Sequence, residues 1–250
     1  MSQAPADHFS AVAAGYASFR PAYPVALFAW LAAAAPGRSL AWDCAAGSGQ
    51  ASCQLAEHFA QVVATDASPA QIGAARRHPR IRYRVAAAGD SGLPDHAVDL
   101  VTVAQALHWL DLEPFYQEVR RVLRPGGLLA VWTYGPVRLE DSGLDALVQA
   151  FSRQTVGPYW PPERRHVEDG YRSLPFPFAR LPVPAFPMTA SWTLSELLGY
   201  LGSWSATARF QAARGTVPVA ELAGQLAPLW GDPQACRQVT WPLTVLVGLT

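Results

Sequence analysis

The chain has 250 residues, 19 basic and 19 acidic side chains, and a formal net charge of zero. It contains no Lys and no Asn, which excludes a Schiff-base lysine, a P-loop lysine and an N-glycosylation sequon. The charge balance argues against a nucleic-acid-binding protein. Three cysteines without a C-x-x-C spacing predict reduced thiols and a cytoplasmic location.

The first strong hydrophobic segment is an apolar run of 11 residues at 25–35. It is too short to span a bilayer. Its length and its flanking small residues resemble the core of a signal peptide, but it lies well inside the chain, after Pro21 and Pro24. We therefore predict a helix that faces the protein core, and no association with a membrane.

Residues 39–135 alternate between short apolar runs and helical patterns. Ser68-Pro69 is typical of a helix N-cap followed by proline, and Arg124-Pro125-Gly126-Gly127 is typical of a helix end. Alternation of this kind predicts an open, mostly parallel sheet with helices on both faces. The predicted strands are 39–44, 61–65, 81–86, 98–103 and 128–132, and the predicted helices are 51–59, 69–77 and 112–123.

Residues 136–190 interrupt this alternation. They contain nine prolines and many aromatic residues, a composition too apolar for a disordered linker. We predict an ordered insertion that lies over the sheet and follows a helix at 144–151. Helices at 194–201 and 219–229 and a terminal strand at 239–247 complete the prediction.

The chemistry is concentrated after the first two predicted strands. Asp43 ends the first strand, and the small residues 44–50 lead into a helix, where backbone N–H groups are available to a ligand. Asp66 ends the next strand, in a position where a carboxylate accepts hydrogen bonds from ribose hydroxyls. Taken singly, these features also fit an Ala/Gly-rich turn and a surface carboxylate. Together they indicate a ligand that contains adenosine.

The glycine spacing separates the adenosine ligands. A dinucleotide site needs G-x-G-x-x-G, but Ser52 stands in the third glycine position. The segment fits D-x-G-x-G-x-G better, with Ala45 in the first glycine position. This pattern resembles class I S-adenosylmethionine (SAM)-dependent methyltransferases. Further segments that match these enzymes in order are 88–90, 93–94, 98–101, 105–109 and 123–127.

Other segments narrow the resemblance to a subfamily. They resemble trans-aconitate-type methyltransferases and their fungal relatives at 9–24, 104–111, 158–171, 174–178 and 200–206. The resemblance covers almost the whole chain. It implies an α/β, Rossmann-like class I methyltransferase fold, with a seven-stranded mostly parallel sheet, an antiparallel C-terminal strand and helices on both faces.

The resemblance also implies a division of the chain. Residues 1–250 would form a single methyltransferase domain. Its parts would be an N-terminal helical lid (1–36), a SAM-binding core (37–135), a substrate-cap insertion rich in proline and aromatics (136–190) and a C-terminal part that completes the sheet (191–250).

The cofactor implied by the resemblance is SAM, with S-adenosylhomocysteine as the product. The lid would close over SAM, the glycine loop would touch its methionine end, and the second strand end would bind ribose and pack on adenine. Residues after the third and fourth strands would lie beside the adenine amino group and the methyl group. The implied cofactor-binding residues are Phe9, Tyr16, Arg20, Asp43, Ala45, Gly47, Gly49, Gln50, Asp66, Ala67, Gly89, Asp90, Gln105 and Ala106.

Two positions depart from the family pattern. Ala45 replaces the first glycine, which costs about 1 kcal/mol or more if the backbone there has a positive φ and nothing otherwise. Gly89 stands where relatives often carry Glu, and the neighbouring Asp90 is the candidate replacement.

Methyl transfer from SAM depends mainly on alignment and the exclusion of water. A carboxylate acceptor is ionised at pH 7 and needs no base, whereas a phenol or an amine needs one. His108, just after the fourth strand, is the candidate base; the alternative is a structural His-Trp pair with Trp109.

The acceptor is expected to bind to the insertion. The expected substrate contacts are Tyr159, Trp160, Arg164 and Tyr171, because arginine binds carboxylates bidentately and aromatic rings enclose apolar groups. The alternatives are a surface ion pair of Arg164 with Glu163 or Glu168, and an aromatic core within the lid.

The functional prediction is a SAM-dependent methyltransferase that acts on a small molecule, with a carboxylic acid as the candidate acceptor. The alternative is a SAM- or adenosine-binding protein with lost or weak catalysis. We expect no bound metal, no nucleic-acid or membrane partner, and a monomer or a homodimer.

Overall fold

The computed structural model describes residues 19–250, so the predicted SAM contacts Phe9 and Tyr16 lie outside the described residues. The chain divides into two compact units. The large-sheet unit consists of Ala22–Tyr134, His166–Phe186 and Leu243–Thr250. The small-sheet unit consists of Gly135–Arg165 and Pro187–Pro242, together with residues 19–21 of the described chain. The division into lid, core, cap and C-terminal part stays a prediction.

The large-sheet unit is built on a seven-stranded mixed sheet. Its strands are β1 (Leu40–Cys44), β2 (Gln61–Asp66), β3 (Ile81–Val85), β4 (Val98–Ala104), β5 (Leu123–Tyr134), β7 (Ala179–Arg180) and β10 (Leu243–Leu249). They lie in the order β3-β2-β1-β4-β5-β10-β7. The first five are parallel, and β10 is antiparallel to both β5 and β7. The predicted fold class is confirmed, including the antiparallel C-terminal strand.

The central position of β1 follows from its apolar sequence. β1 pairs with β2 on one side and β4 on the other, so that Asp43 lies opposite Ala64 and Thr102. β4 is almost entirely buried, as expected for a strand covered on both faces. The carboxyl ends of β1, β2 and β4 therefore meet at one edge of the sheet, where ligands bind in open α/β sheets.

Helices of the large-sheet unit connect these strands. They are α1 (Val25–Ala34), α2 (Gln50–Ala56), α3 (Pro69–Gly73) and α4 (Leu112–Val122), with a short 3₁₀ helix at Leu107–Trp109. In α1, Leu27, Phe28 and Leu31 are fully buried, which confirms the predicted core-facing helix. Ser68 caps α3 as expected, but this helix ends at Gly73 and not at the predicted residue 77.

The small-sheet unit has a three-stranded antiparallel sheet that the sequence patterns did not reveal. Its strands are β6 (Arg138–Leu139), β8 (Met188–Trp192) and β9 (Arg237–Trp241), in the order β6-β9-β8. Its helices are α5 (Ser142–Ala150), α7 (Leu194–Gly202), α8 (Ser205–Arg214) and α9 (Pro218–Trp230), and α6 (Arg164–Glu168) begins at its boundary. A π-helical turn, Phe151–Thr155, and a 3₁₀ turn, Gly157–Tyr159, follow α5.

The predicted terminal strand at 239–247 is wrong as a single element. The segment forms two strands, β9 and β10, which belong to different sheets. Pro242 separates them: it has no N–H group, so it cannot donate to either ladder. The helix α8 was also missed, because its exposed and buried positions give little amphipathic pattern.

Within residues 19–250, no helix is long and apolar enough to cross a membrane.

Candidate active site at the carboxyl ends of the strands

The loop between β1 and α2 has an alternating backbone conformation. Ala45, Gly47 and Gly49 have φ angles of +53°, +56° and +84°, so every second residue is left-handed. Glycine adopts this conformation freely, whereas an L-residue is strained by about 1–2 kcal/mol. The small residues of this loop are thus explained by its backbone conformation. Because the φ angle of Ala45 is positive, this alanine is strained.

Asp66 holds this loop through its carboxylate. One oxygen accepts a hydrogen bond from the Gly47 N–H at 2.9 Å, and the other accepts from the Ser68 N–H at 2.9 Å. The Ala46 N–H also donates to the Thr65 carbonyl at 2.9 Å. Asp66 is only half-buried, and each carboxylate oxygen has two lone pairs. It therefore keeps acceptor capacity for a ligand while it shapes the loop.

Asp43 occupies a different environment. Its side chain is fully buried, and its carboxylate accepts hydrogen bonds from the hydroxyls of Ser52 at 2.6 Å and Thr102 at 2.8 Å. Burial raises the pKa of Asp43 to about 6, although these two hydrogen bonds act in the opposite direction. Asp43 thus joins β1 to α2 and β4 from beneath the loop, and its carboxylate has no surface exposed to a ligand.

Gly49 is also required by packing. A Cβ atom at this position would collide with the ring and hydroxyl of Tyr83, which donates a hydrogen bond to the Arg76 carbonyl at 2.8 Å. Gly49 therefore needs to be glycine for two reasons. A Cβ atom at Gly47 would make only an ordinary van der Waals contact with the Gln71 side chain, at 3.7 Å, so Gly47 needs glycine only for its φ angle.

Gly89 is the second departure from the family pattern, and the packing around it bears on the absence of a side chain. A Cβ atom built at Gly89 lies 2.9 Å from the Cβ of Pro114, so a larger residue would require Pro114 to move. Asp90 and Ala67 are both exposed, as a contact with a bound nucleoside requires. A glutamate at position 89 would therefore displace Pro114, and Asp90 is the acidic side chain beside Gly89.

Gln105, just after β4, also has a left-handed backbone, with a φ angle of +56°. Its backbone N–H donates to the Trp132 carbonyl at 2.9 Å, and its side-chain amide nitrogen donates to the Tyr134 carbonyl at 3.3 Å. Its amide oxygen accepts a short hydrogen bond from the Thr133 hydroxyl. These contacts anchor Gln105 to β5 and leave Ala106 half-buried at the end of β4. Backbone strain of this kind is concentrated at functional sites.

His108 lies in the 3₁₀ helix that follows and contacts Tyr171. Its Nδ1 atom is 2.9 Å from the Tyr171 hydroxyl, and its ring stacks at an angle against Trp109, with centroids 4.8 Å apart. Tyr171 is fully buried and has a φ angle of +62°, and burial raises the pKa of its hydroxyl well above the usual range. The structure therefore brings together two predicted site residues that are 63 positions apart in the chain.

The remaining predicted substrate residues belong to the small-sheet unit. The Arg164 guanidinium lies 4.4 Å from the centroid of the Trp160 ring, a cation–π geometry. The Trp160 indole N–H donates to the Ser152 carbonyl at 3.2 Å. The Tyr159 hydroxyl accepts a hydrogen bond from Arg214 at 3.0 Å. Each of these side chains is half-buried, and their roles toward an acceptor stay predictions.

Two predicted cofactor-binding residues remain. Arg20 and Gln50 are half-buried, and Gln50 is the first residue of α2. Three residues that were not predicted from the sequence hydrogen-bond predicted site residues: Ser52, Thr102 and Thr133. The available signal was a polar residue within an apolar stretch, as Thr102 is within β4.

Comparison with known proteins agrees with this geometry. Residues 42–131 match a family model described as a methyltransferase domain. A protein of Dictyostelium discoideum that is named as a methyltransferase is 36% identical over 208 residues, which cover 82% of this chain and 79% of that protein.

Two further relatives extend the comparison. A solved structure titled as a type II methyltransferase from Anaeromyxobacter dehalogenans has a TM-score of 0.88 and 48% identity, and the match covers 92% of this chain and 98% of that one. A Saccharomyces cerevisiae protein named as a SAM-dependent methyltransferase is 32% identical over 130 residues, covering 48% of this chain and 45% of that protein.

The fold, the left-handed glycine loop and these relatives lead to the same assignment: the chain belongs to the class I SAM-dependent methyltransferases.

Proposed function

We propose that this methyltransferase transfers the methyl group of SAM to a small-molecule acceptor, and that the acceptor group is a carboxylic acid. The observation that supports SAM as the ligand is the Asp66 carboxylate, which orders the glycine loop and keeps acceptor capacity at the edge of the sheet. The carboxylic acid follows from the resemblance of several segments to trans-aconitate-type methyltransferases.

The residues around the strand ends suit SAM by their chemistry. Asp66 would accept hydrogen bonds from the ribose hydroxyls, exposed Ala67 would pack on adenine, and Asp90 beside Gly89 would accept from the adenine amino group. Gln105 and Ala106 would face the methionine portion. When bound, SAM supplies a methyl group that is already activated by its sulfonium. These residues would then contribute mainly alignment, which can account for about 7–11 kcal/mol of a barrier.

The acceptor determines whether a base is needed. A carboxylate is ionised at neutral pH and attacks the methyl group without losing a proton. With a carboxylic acid as acceptor, the protein therefore needs only to bind and orient it. Arg164 and its Trp160 neighbour are the candidate contacts for a carboxylate and an apolar tail. Zero net charge is consistent with a small-molecule substrate. A cytoplasmic enzyme that is a monomer or a homodimer remains part of the proposal.

A turnover screen tests the proposal. The enzyme is incubated with SAM and a panel of carboxylic acids, phenols and amines, and S-adenosylhomocysteine release is measured. We expect release with at least one carboxylic acid, and a calorimetric dissociation constant for SAM in the micromolar range. Release only with phenols or amines would contradict the carboxylic acid. Arg164→Ala should raise the KM of the acid, with Arg153→Ala, an exposed arginine of the same unit, as control.

A further inference from the structure

The helix α4 holds the two residues that flank Asp90. The Gly89 backbone packs against Pro114, since a Cβ atom at Gly89 would lie only 2.9 Å from the Pro114 Cβ. On the other side, the Ser91 N–H donates to the Glu118 carboxylate at 2.8 Å, and the Ser91 hydroxyl donates to the same oxygen. Pro114 and Glu118 are four residues apart and therefore lie on one face of α4.

Glu118 is a buried carboxylate with an arginine partner on its own helix. Arg121 donates from Nε to one carboxylate oxygen at 2.8 Å and from Nη2 to the other at 2.7 Å, a bidentate contact. Burial raises the pKa of Glu118, but the hydrogen bonds from Arg121 and Ser91 outweigh it and hold this pKa below its usual range. Glu118 is therefore ionised at neutral pH and fixed in place.

The turn around Asp90 is also ordered by bonds of its own. The Asp90 N–H donates to the Ala87 carbonyl at 3.1 Å, and the Ser91 hydroxyl accepts from the Leu93 N–H at 3.1 Å. Ser91 is almost fully buried, whereas Asp90 is exposed. The backbone of Asp90 is thus held on both sides while its carboxylate remains accessible. A carboxylate that is ordered before a ligand arrives loses less conformational entropy on binding.

From these contacts we propose that Glu118 is a positioning residue that, through Ser91, fixes Asp90 for the recognition of the adenine amino group. Glu118 itself touches no ligand. The inference rests on the proposed function, which assigns the amino group to Asp90. It adds that a residue of α4 determines how strongly the site prefers adenine over a purine base without an amino group.

Two ligands that differ at the amino group separate this role from a merely structural one. S-adenosylhomocysteine carries the amino group, and its hypoxanthine analogue, S-inosylhomocysteine, has a carbonyl oxygen there that cannot donate to a carboxylate. A structural carboxylate affects the binding of both ligands by the same factor. A positioning carboxylate changes the ratio of their two dissociation constants.

Calorimetric titration of the full chain with both ligands measures this ratio, hypoxanthine over adenine. In the unmodified protein we expect a ratio of about 10 to 150, since a hydrogen bond to a charged group is lost. Asp90→Ala should bring the ratio close to one. Glu118→Ala leaves the Ser91 donors without their acceptor and should lower the ratio at least about 5-fold.

The double variant shows whether Glu118 acts through Asp90. If it does, Asp90→Ala combined with Glu118→Ala should have the same ratio as Asp90→Ala alone, because residues of one network are not additive. A double variant in which Glu118→Ala lowers the ratio as much as it does alone would overturn the inference.

Asp145→Ala is the matched control for the loss of a buried carboxylate. Asp145 is buried in the small-sheet unit and accepts from the Arg138 guanidinium at 2.8 Å and from the Leu139 N–H at 3.0 Å, the same kinds of donor that Glu118 has. It should lower the unfolding free energy and leave the ratio unchanged. An equal fall of the ratio in Asp145→Ala and Glu118→Ala would indicate general destabilisation and overturn the inference.

Ser91→Ala tests the same contact with a smaller change. It removes the hydroxyl donor and keeps the N–H bond to Glu118, so the ratio should fall about 2- to 3-fold, and this variant decides if Glu118→Ala does not fold. A ratio that Asp90→Ala abolishes but Ser91→Ala and Glu118→Ala preserve overturns only the role of Glu118. A ratio near one in the unmodified protein removes Asp90 from the adenine site and overturns the inference, whereas methyl transfer in the turnover screen would stand.

Discussion

The ends of β1 and β2 carry the same residue type in opposite environments. Asp43 is fully buried against two hydroxyls, and Asp66 is half-buried against two backbone N–H groups of the adjoining turns. Burial raises the pKa of Asp43 to about 6. Asp43 thus joins β1 to α2 and β4, and Asp66 holds the loop between β1 and α2 through the Gly47 N–H.

The difference in burial predicts different roles for the two carboxylates. A buried carboxylate is costly to ionise, so its hydroxyl partners are needed to keep it in place. An edge carboxylate stays hydrated in part and can exchange water for a ligand. We therefore expect substitutions at Asp43 to change stability and substitutions at Asp66 to change SAM affinity.

The largest expected effect is a pH dependence of the unfolding free energy that is caused by the titration of Asp43. Since the folded pKa of about 6 is above the unfolded value of 3.8, the folded protein binds the proton more tightly. Protonation of Asp43 therefore stabilises the folded state. This contribution to the unfolding free energy is complete below pH 4 and is lost as the pH rises to 6, a change of about 3 kcal/mol. Asp43→Asn removes this titration. Urea unfolding at pH 4.5 and 7.5 should show the unmodified protein losing stability relative to the variant as pH rises.

The control for this measurement is Asp95→Asn, which changes an exposed carboxylate paired with Arg121. It should not reproduce the relative gain at high pH. An Asp43→Asn difference that stays constant between the two pH values would mean that Asp43 has an ordinary pKa.

The next effect is on SAM binding. Asp66→Ala removes the proposed ribose acceptor and the partner of the Gly47 N–H. Hydrogen bonds to a charged group contribute about 1.5–3 kcal/mol, so the dissociation constant for SAM should rise roughly 10- to 150-fold. Calorimetric titration measures it. Asp95→Ala serves as the exposed control, and an unchanged dissociation constant in Asp66→Ala would remove Asp66 from the ribose site.

The two glycines between these carboxylates should differ. Gly49→Ala introduces both a strained φ angle and a collision with Tyr83, and we expect a loss of at least about 2 kcal/mol of unfolding free energy. Gly47→Ala introduces only the strained φ angle and should lose about 1 kcal/mol. Equal losses in denaturant unfolding would show that Tyr83 moves aside without cost.

The smallest effect is a gain. Ala45→Gly relieves the strain of a φ angle of +53°, partly offset by the larger backbone freedom of glycine in the unfolded chain, and should add about 0.5–1 kcal/mol to the unfolding free energy. Ala46→Gly is the matched control, since Ala46 is outside the left-handed region. The control should be destabilised, and a loss in Ala45→Gly as well would show that the alanine is not strained.

The large sheet and the glycine loop were predictable because their signals are local. β1, β2 and β4 are apolar runs, and the alternation of small residues from Ala45 to Gly49 reflects alternating φ angles within five residues. The small sheet was not predictable in the same way. β6 has two residues, and β8 pairs with β9 across a long separation in the chain.

The same contrast between local signals and distant contacts applies to the candidate site residues. Asp43 and Asp66 were identified because each ends a strand, but the sequence did not reveal that one is buried and the other is not. From the sequence, Gly89 was only a departure from a family pattern, whereas the structure shows that a side chain at this position would displace Pro114.

By itself, the sequence determined the parallel sheet, the loop of small residues after β1 and the absence of lysine and asparagine chemistry, since each depends on residue types or on neighbours within a few positions. Only the tertiary structure decided that Asp43 is a buried anchor, that Pro242 divides one apolar segment between two sheets, and that Tyr171 meets His108. These outcomes depend on burial and on contacts between distant segments, and neither is encoded in a local pattern.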